Sequence, residues 1–390
     1  MTYFIGLDIA KHKHDCFITN EKKETIIDSF SFNNDTVGFN TLLNVLNTLD
    51  PSKEKRIGLE ATGHYGSNLK IFLETHDLPF MEFNPILISR FNKTRTLRRT
   101  KTDKIDAKVI AMYLMTVDFK AYPLQSYHVR NLKSLTRARD TLVKQRSLYL
   151  VKLTNVLDLM FPEFKPFFNK NLKSATALYL LENYKTPSKM SRMTIDSYNK
   201  MASNLRRTIS YARFLKLKEL AKNTVGTEDD ILTLELDMYL DLFKELDSKI
   251  KTVETKILDE YKKTGSHIHT IPGVGMISAA GIYCEIGNIV KFNNGSQLTA
   301  YAGLDCSRYQ SGESEYTGHM VKHGSSYLRE YLMNCAETTL IHNPAMYDYY
   351  LKKRTEGKVH RVALSHLAKK LVRIIFSLEK NNTDFDSNKI

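Results

Sequence analysis

The sequence predicts an α/β domain at the N-terminus and a mainly helical remainder. Three observations predict it: three short strand-type runs in the first 31 positions, alternating strand and helix patterns from there to about 115, and long helical periodicities beyond about 126. The 390 residues have room for two or three domains, and 42% apolar with 26% charged residues is ordinary for a globular protein.

Taken in order, residues 2 to 9 (TYFIGLDI), 14 to 19 (HDCFIT) and 24 to 31 (ETIIDSFS) read as strands separated by polar turns. Asn34 and Asp35 then precede apolar residues at helical spacing, Val37 to Leu46, and KRIGLEA at 55 to 61 reads as a buried strand. A helix near 66 to 76, a strand at 79 to 83 and a helix from about 102 to 115 complete the domain. Strands first, then strand and helix in alternation, is the order of a ribonuclease H-like fold. A long helix over 126 to 160 should end or kink at Pro162 and Pro166. The stretch 168 to 230 is polar and weakly patterned. Leu236, Tyr239, Phe243, Leu246, Ile250, Val253 and Ile257 alternate spacings of three and four, which suits either a helix packed on its own domain or a coiled-coil spacer that dimerises. The predicted division is 1 to 125, 126 to 265, 266 to 378 and a disordered polar tail, 379 to 390.

Charge narrows the function. Lys plus Arg number 57 against 43 Asp plus Glu, a balance of +14, so the expected partner is a polyanion. A run of about 18 apolar residues is missing and the N-terminal apolar run is too short for a signal peptide, so an intracellular, membrane-free protein is expected. Cys16, Cys284, Cys306 and Cys335 lack CxxC spacing, which argues against a disulfide framework or zinc knuckle. His12, His14 and His64 also lack paired ligand spacing and are expected at the surface or behind a site.

Four acids stand out. Asp8 interrupts a strand apolar on both faces, and Glu60 repeats the situation at the end of IGLEA, where an isolated charge is unfavourable unless paired, hydrogen-bonded or on a metal. Asp103 and Asp106 share a helix face behind a capping Thr102. The macrodipole can account for Asp103 alone, but not for Asp8 and Glu60 as well. Hard carboxylate oxygens of this kind suit one or two Mg²⁺ or Mn²⁺ ions, and paired metals clamp the two oxygens of an in-line phosphoryl displacement. Around them Arg90, Lys93, Arg95, Arg98, Arg99, Lys101, Lys104 and Lys108 form a basic run that can hold backbone phosphates or simply be a solvated face.

Further on, Gly273 and Gly275 in HTIPGVG have the spacing of a helix-hairpin-helix, whose backbone N–H groups can face phosphate. Beyond it Gly303, Gly312, Gly318 and Gly324 punctuate a loop with Ser307, Ser311, Arg308, Lys322, His323 and Arg329. A serine beside glycine there is a candidate nucleophile, although Ser-Gly is also a common turn pair.

Taken together, GLDIAK, GLEATGHYG, RRTKTDKIDAKVIA, IPGVG and AGLDCSRYQSGESEYTGHMVKHGSSYLR resemble the DEDD transposases of the insertion sequence 110 family. The resemblance implies a RuvC-like N-terminal domain, a coiled-coil spacer and a C-terminal transposase domain, acting as a homodimer or homotetramer in the bacterial cytoplasm at the nucleoid. It implies that Asp8, Glu60, Asp103 and Asp106 bind the metal and that Ser311, in QSG, attacks donor and target DNA to give a covalent phosphoserine link, guided by a bridge RNA. The family's second serine before the Lys of the glycine-spaced stretch is replaced here by Val321, and the family pattern does not supply a role for the unusually long middle, about 168 to 230. Competing expectations are a hydrolytic junction-resolving nuclease, a nucleic-acid-binding protein without catalysis, and an actin-like sugar kinase, for which KHKHD at 11 to 15 is a poor phosphate turn.

Overall fold

The computed structural model describes residues 2–61, 64–95, 103–121, 127–206, 208–311 and 314–387; side chains at 95, 103, 104, 127, 128, 308–311, 314–317 and 319 are outside that description. Contacts divide the chain into two compact units, Met1–Leu124 and Gln125–Ile390.

The first unit runs β1 (Thr2–Ile9), β2 (Lys13–Asn20), β3 (Thr25–Asn33), α1 (Thr36–Asn47), β4 (Glu54–Glu60), α2 (Ser67–Thr75), β5 (Phe80–Phe83), α3 (Pro85–Arg95) and α4 (Asp103–Leu114). Its sheet has the order β3-β2-β1-β4-β5. The first three strands pair antiparallel, and β1–β4 and β4–β5 pair parallel. This mixed sheet fits a ribonuclease H-like domain. Both faces are covered, as the doubly apolar β1 requires: Ile5, Leu7 and Ile9 pack with Phe39 and Leu42 of α1 and Leu69 of α2, while Phe4 packs with Ile110 and Leu114 of α4. Helix α1 starts where expected because Asp35 accepts from the Gly38 N–H at 2.8 Å. Helix α3 lies outside the elements expected from periodicity, although its start is signalled: the Asn84 side chain accepts from the Ile86 N–H at 2.9 Å, and Pro85 follows as first helical residue.

In the second unit α5 (Tyr127–Met160) is followed by α6 (Phe164–Phe167), α7 (Ala175–Asn183), α8 (Pro187–Ser191), α9 (Ile195–Asn204), α10 (Tyr211–Lys222) and α11 (Asp230–Lys262). Thus the weakly patterned stretch is a set of short helices, each started by a side-chain cap such as Ser174, Thr186, Thr194 or Ser210 from α7 onward. Their apolar faces close over the far halves of α5 and α11, with Phe161, Phe164, Leu180 and Phe214 fully buried.

Helices α5 and α11 run antiparallel, since Arg139 pairs with Glu254 while Arg146 pairs with Asp247. The Leu236 to Ile257 seam therefore packs inside its own chain, with Phe243, Ile250 and Ile257 buried. Of the two readings of that seam, the helix packed on its own domain is the one observed. The near end of the pair shares a core with α12 (Met276–Ile286), α13 (Gly295–Tyr301), α14 (Ser326–His342), α15 (Pro344–Thr355) and α16 (His360–Asn381), and β6 (Cys306–Ser311) pairs with β7 (Ser314–Met320).

The tail expected to be disordered is anchored through Phe385, and 388–390 lie outside the described residues. Helix α16 continues to Asn381, and Glu379 accepts from the Ser266 hydroxyl and the His267 N–H at 2.8 and 3.0 Å. Asp384 lies 2.7 Å from His267 Nδ1, and the Phe385 N–H donates to Thr270 Oγ1. These polar partners come from 266 to 270, which is why local composition failed to reveal them. Among the described residues no helix is long and apolar enough to cross a membrane.

Candidate active site

Strand register brings two of the four acids together. Leu7 pairs with Leu59 across the parallel β1–β4 ladder, so the next residues, Asp8 and Glu60, leave the carboxyl ends of neighbouring strands side by side. Both are half-buried. Each follows a Gly-Leu pair, and Gly6 lies opposite Gly58. A Cβ on Gly6 would stand 2.1 Å from the Ala107 carbonyl oxygen, and one on Gly58 would stand 2.8 Å from the Phe83 ring. The missing side chain at Gly6 therefore lets α4 lie directly on the sheet. Along β1, Phe4 meets Ile110 and Leu114, while Gly6 meets Ala107 and Ala111. Moving toward Asp8 is thus moving toward the start of α4, where Asp106 is half-buried and Asp103 is the first helical residue. Replacing Gly6 with Ala should force α4 off the sheet and destabilise the first unit by about 1–3 kcal/mol; a denaturant midpoint equal to wild type would refute that packing.

A fifth acid was missed. Asp15 of β2 lies directly across from Asp8, is 2% exposed, and accepts from the Ser31 hydroxyl at 2.6 Å. Residues paired in this way project from one face, and like charges placed so are destabilising. Alternation along HDCFIT, with Asp15 in phase with Phe17, was the available signal. Phe17 packs with Ala107 and Ala111 beneath α4, so Asp15 shares the face of Asp8. His14 points the other way: it is fully buried between Phe32 and Phe39, and burial depresses its pKa, so the surface position expected for it is wrong. Among the described residues no three His, Cys, Asp or Glu side chains are gathered so as to hold a metal by themselves; the Asp103 side chain lies outside them.

The basic run is described only in part. Arg90 and Lys93 are exposed on α3, and the Lys108 ammonium lies 5.3 Å from the Phe17 ring centre. Arg98, Arg99 and Lys101 and the side chains of Arg95 and Lys104 are outside the described residues.

The serine-bearing stretch is a hairpin rather than a loop. Ser311 ends β6 opposite Ser314 of β7; the Ser311 and Arg308 side chains are outside the description. Its base is closely built. Gly303, at φ +67°, and Gly324 stack so tightly that a Cβ on Gly324 would stand 1.9 Å from the Tyr301 carbonyl oxygen. Arg329, expected on phosphate, has Nη1 3.4 Å from the carbonyls of both Ala302 and Lys322, bracing the two ends of the hairpin.

Ser325 caps α14 by accepting from the Leu328 N–H and donates to Glu285 Oε2 at 3.0 Å. Glu285, 2% exposed, also receives a two-pronged bond from Arg137 at 2.8 and 3.1 Å, and Lys133 lies 3.5 Å away. Burial alone would raise its pKa; the Arg137 bonds and the two cations hold it below the usual carboxylate range. No sequence motif flagged Glu285, which is visible only as an acid in an otherwise apolar helix.

The IPGVG turn follows a single 3-10 turn, Ile268–Thr270, not a full helix. Gly273 has φ +93°, a Cβ there would stand 2.7 Å from Thr339 Cα, and its carbonyl accepts from Thr338 Oγ1 at 2.6 Å, so the turn is seated on α14. The space before Gly275, at the start of α12, is open.

Two family models match the segments that carry these features. A DEDD transposase model covers residues 5–162, with all four acids, and a model described as "Transposase IS116/IS110/IS902 family" covers 265–351, with the hairpin. The chain belongs to this family of transposases. Similar proteins include the insertion element IS116 44.8 kDa protein of Streptomyces clavuligerus, 23% identical over 98% of this chain and 96% of that one. A mini-circle putative transposase for IS117 from Streptomyces coelicolor is 24% identical over 100% and 96%. The pilin gene-inverting protein of Moraxella lacunata is 23% identical over 98% and 97%. As a transposase the protein is a DNA-cleaving and strand-transferring enzyme, of a type that typically uses a divalent metal. The transposase models leave out 163–264, which holds the short-helix insertion, and everything after 351.

Proposed function

We propose that this transposase excises and inserts its own element by a serine-using mechanism, in which Asp8, Glu60, Asp103 and Asp106 hold Mg²⁺ or Mn²⁺ and Ser311 is the nucleophile. The single observation that carries the metal half is the register that places Asp8 beside Glu60 at the end where α4 begins. The donor set fits in kind: half-buried carboxylates on adjacent strands, with a buried Asp15 opposite, are hard oxygen donors of one sign, which a divalent cation would draw together. When bound, the cation withdraws charge from the phosphate under attack and from the departing oxygen. The chain's own part is to aim its carboxylates and to present an alcohol. Ser311 Oγ forms a bond to phosphorus as its proton leaves, the bond to the departing sugar oxygen breaks, and that oxygen takes up a proton. A DNA hydroxyl reverses the exchange when strands rejoin.

The Moraxella relative is named for inverting a gene, an operation that rejoins every end it cuts, and this favours strand exchange over hydrolysis. Asp106 and Ser311 are far apart in sequence, and a dimer or tetramer is the arrangement in which one protomer's acids would serve its partner's serine. The open start of α12, capped by Gly275, would offer backbone N–H groups to a phosphate, and a bridge RNA would choose the sites. The test is Ser311→Ala: it should abolish cleavage and any denaturant-stable protein–DNA adduct. Continued nicking by Ser311→Ala would identify a hydrolytic nuclease instead.

A further inference from the structure

Outside the matched family segments, the corner between α15 and α16 carries an unassigned charge concentration. From Lys352 to Arg361, KKRTEGKVHR, there are five Lys or Arg residues and one acid, Glu356, which pairs with Lys353 at 2.8 Å. All of these residues but Lys353 are exposed. A merely solvated surface intersperses both signs, and this one does not. The excess continues onto α16 through Lys369 and Lys370. The Lys370 and Lys353 ammonium groups lie 4.7 and 5.5 Å from the Tyr349 ring centre, so one tyrosine gathers cations from both helices. His366 shows the resulting field: burial first, then Lys369, Lys353 and Lys358, hold its pKa below the ordinary value.

The corner is also continuous with the hairpin. Lys369 Nζ lies 3.4 Å from Cys306 Sγ, and Cys306 is the first residue of β6, whose last is Ser311. Five strand steps of about 3.3 Å separate Cys306 from Ser311, about 17 Å, and eight helical steps of about 1.5 Å separate Lys369 from Arg361, about 12 Å, so the corner stands within roughly one turn of duplex of Ser311.

We infer that the Lys352 to Arg361 corner, with Lys369, is a DNA-backbone grip that holds duplex within about one helical turn of the phosphate offered to Ser311. It rests on the reading of Ser311 as the group that attacks DNA. The contacts are to phosphates and are indifferent to sequence, so the grip fixes register while other elements choose the site.

The experiment compares two charge-reversal triples in the full chain: Lys352→Glu, Lys358→Glu and Arg361→Glu at the corner, and Lys173→Glu, Lys200→Glu and Lys216→Glu on the exposed insertion. Affinity for a duplex DNA probe is measured across a salt series, with melting curves to confirm folding. Each lost phosphate contact lowers the slope of log affinity against log salt by about 0.9. The corner triple should lower it by about 2–3 and weaken binding at least about tenfold near 0.1 M salt, while the insertion triple leaves the slope unchanged. Equal slopes for the two triples would overturn the grip. So would a corner triple that loses affinity for a structured RNA probe but not for duplex DNA, because the partner would then be RNA. Adduct formation is scored separately in wild type and Ser311→Ala. A wild type without a Ser311-dependent adduct sinks the nucleophile reading, whereas the salt slopes report on the corner alone.

Discussion

Glu285→Gln is expected to lower the stability of the second unit by about 3 kcal/mol, the low end for breaking a buried ion pair, because Arg137 keeps partial access to water. For a unit of this size that is a fall in melting temperature of about 6–12 °C. The substitution leaves Arg137 and Lys133 facing an amide and weakens the acceptor of the Ser325 hydroxyl, which also caps α14. Because these groups anchor the return from β7 into α14, hydrogen exchange across β6 and β7 should accelerate as well. Ser325→Thr keeps the hydroxyl and should be nearly silent, while Ser325→Ala should cost about 1 kcal/mol. The folded pKa of Glu285 is depressed, so its contribution is complete above the unfolded carboxylate value of about 4.3 and is lost only as pH falls through the lower folded value. A variant melting within about 2 °C of wild type would show that the network carries little.

Asp8→Asn should have the opposite profile. Cleavage should fall at least about 10³-fold, roughly 4 kcal/mol of lost transition-state stabilisation. Metal-free stability should change by no more than about 1 kcal/mol, since lifting one charge from a row that also holds Asp15 and Glu60 offsets the loss of the contacts Asp8 makes. Wild type should gain melting temperature with added Mg²⁺ or Mn²⁺, and the variant should gain much less, as follows when the ion binds only the folded site. Loss of activity accompanied by a large drop in metal-free stability would instead make Asp8 a structural residue.

The first unit was largely legible because its signals are local. Alternation in YFIGLDI and IGLEA marks β1 and β4, and the Asn-Asp cap marks α1. Glycine two places before each acid is legible as well, although the reasons lie elsewhere: the α4 backbone at Ala107, 101 positions after Gly6, and the Phe83 ring, 25 positions after Gly58. What escaped depends on partners distant in sequence. Asp15 matters through its pairing with Asp8, and Glu285 through Arg137, 148 positions away. The heptad seam was correct as a pattern but could not name its occupant, since α5 and a second chain would satisfy the same spacing. The bracing role of Arg329 was equally hidden, because the carbonyls of Ala302 and Lys322 become its neighbours only once the hairpin closes.

The central claim is that four carboxylates and one distant alcohol act on a single phosphate. Its most direct measurement is peptide mapping by mass spectrometry of the denatured protein–DNA adduct after nuclease digestion, with and without divalent cation and in Asp8→Asn. The account predicts a nucleotide remnant on Ser311, present only with the cation and absent from the variant. A remnant on Ser307, Ser325 or Ser326, or efficient cleavage that leaves no remnant on the protein, would contradict it.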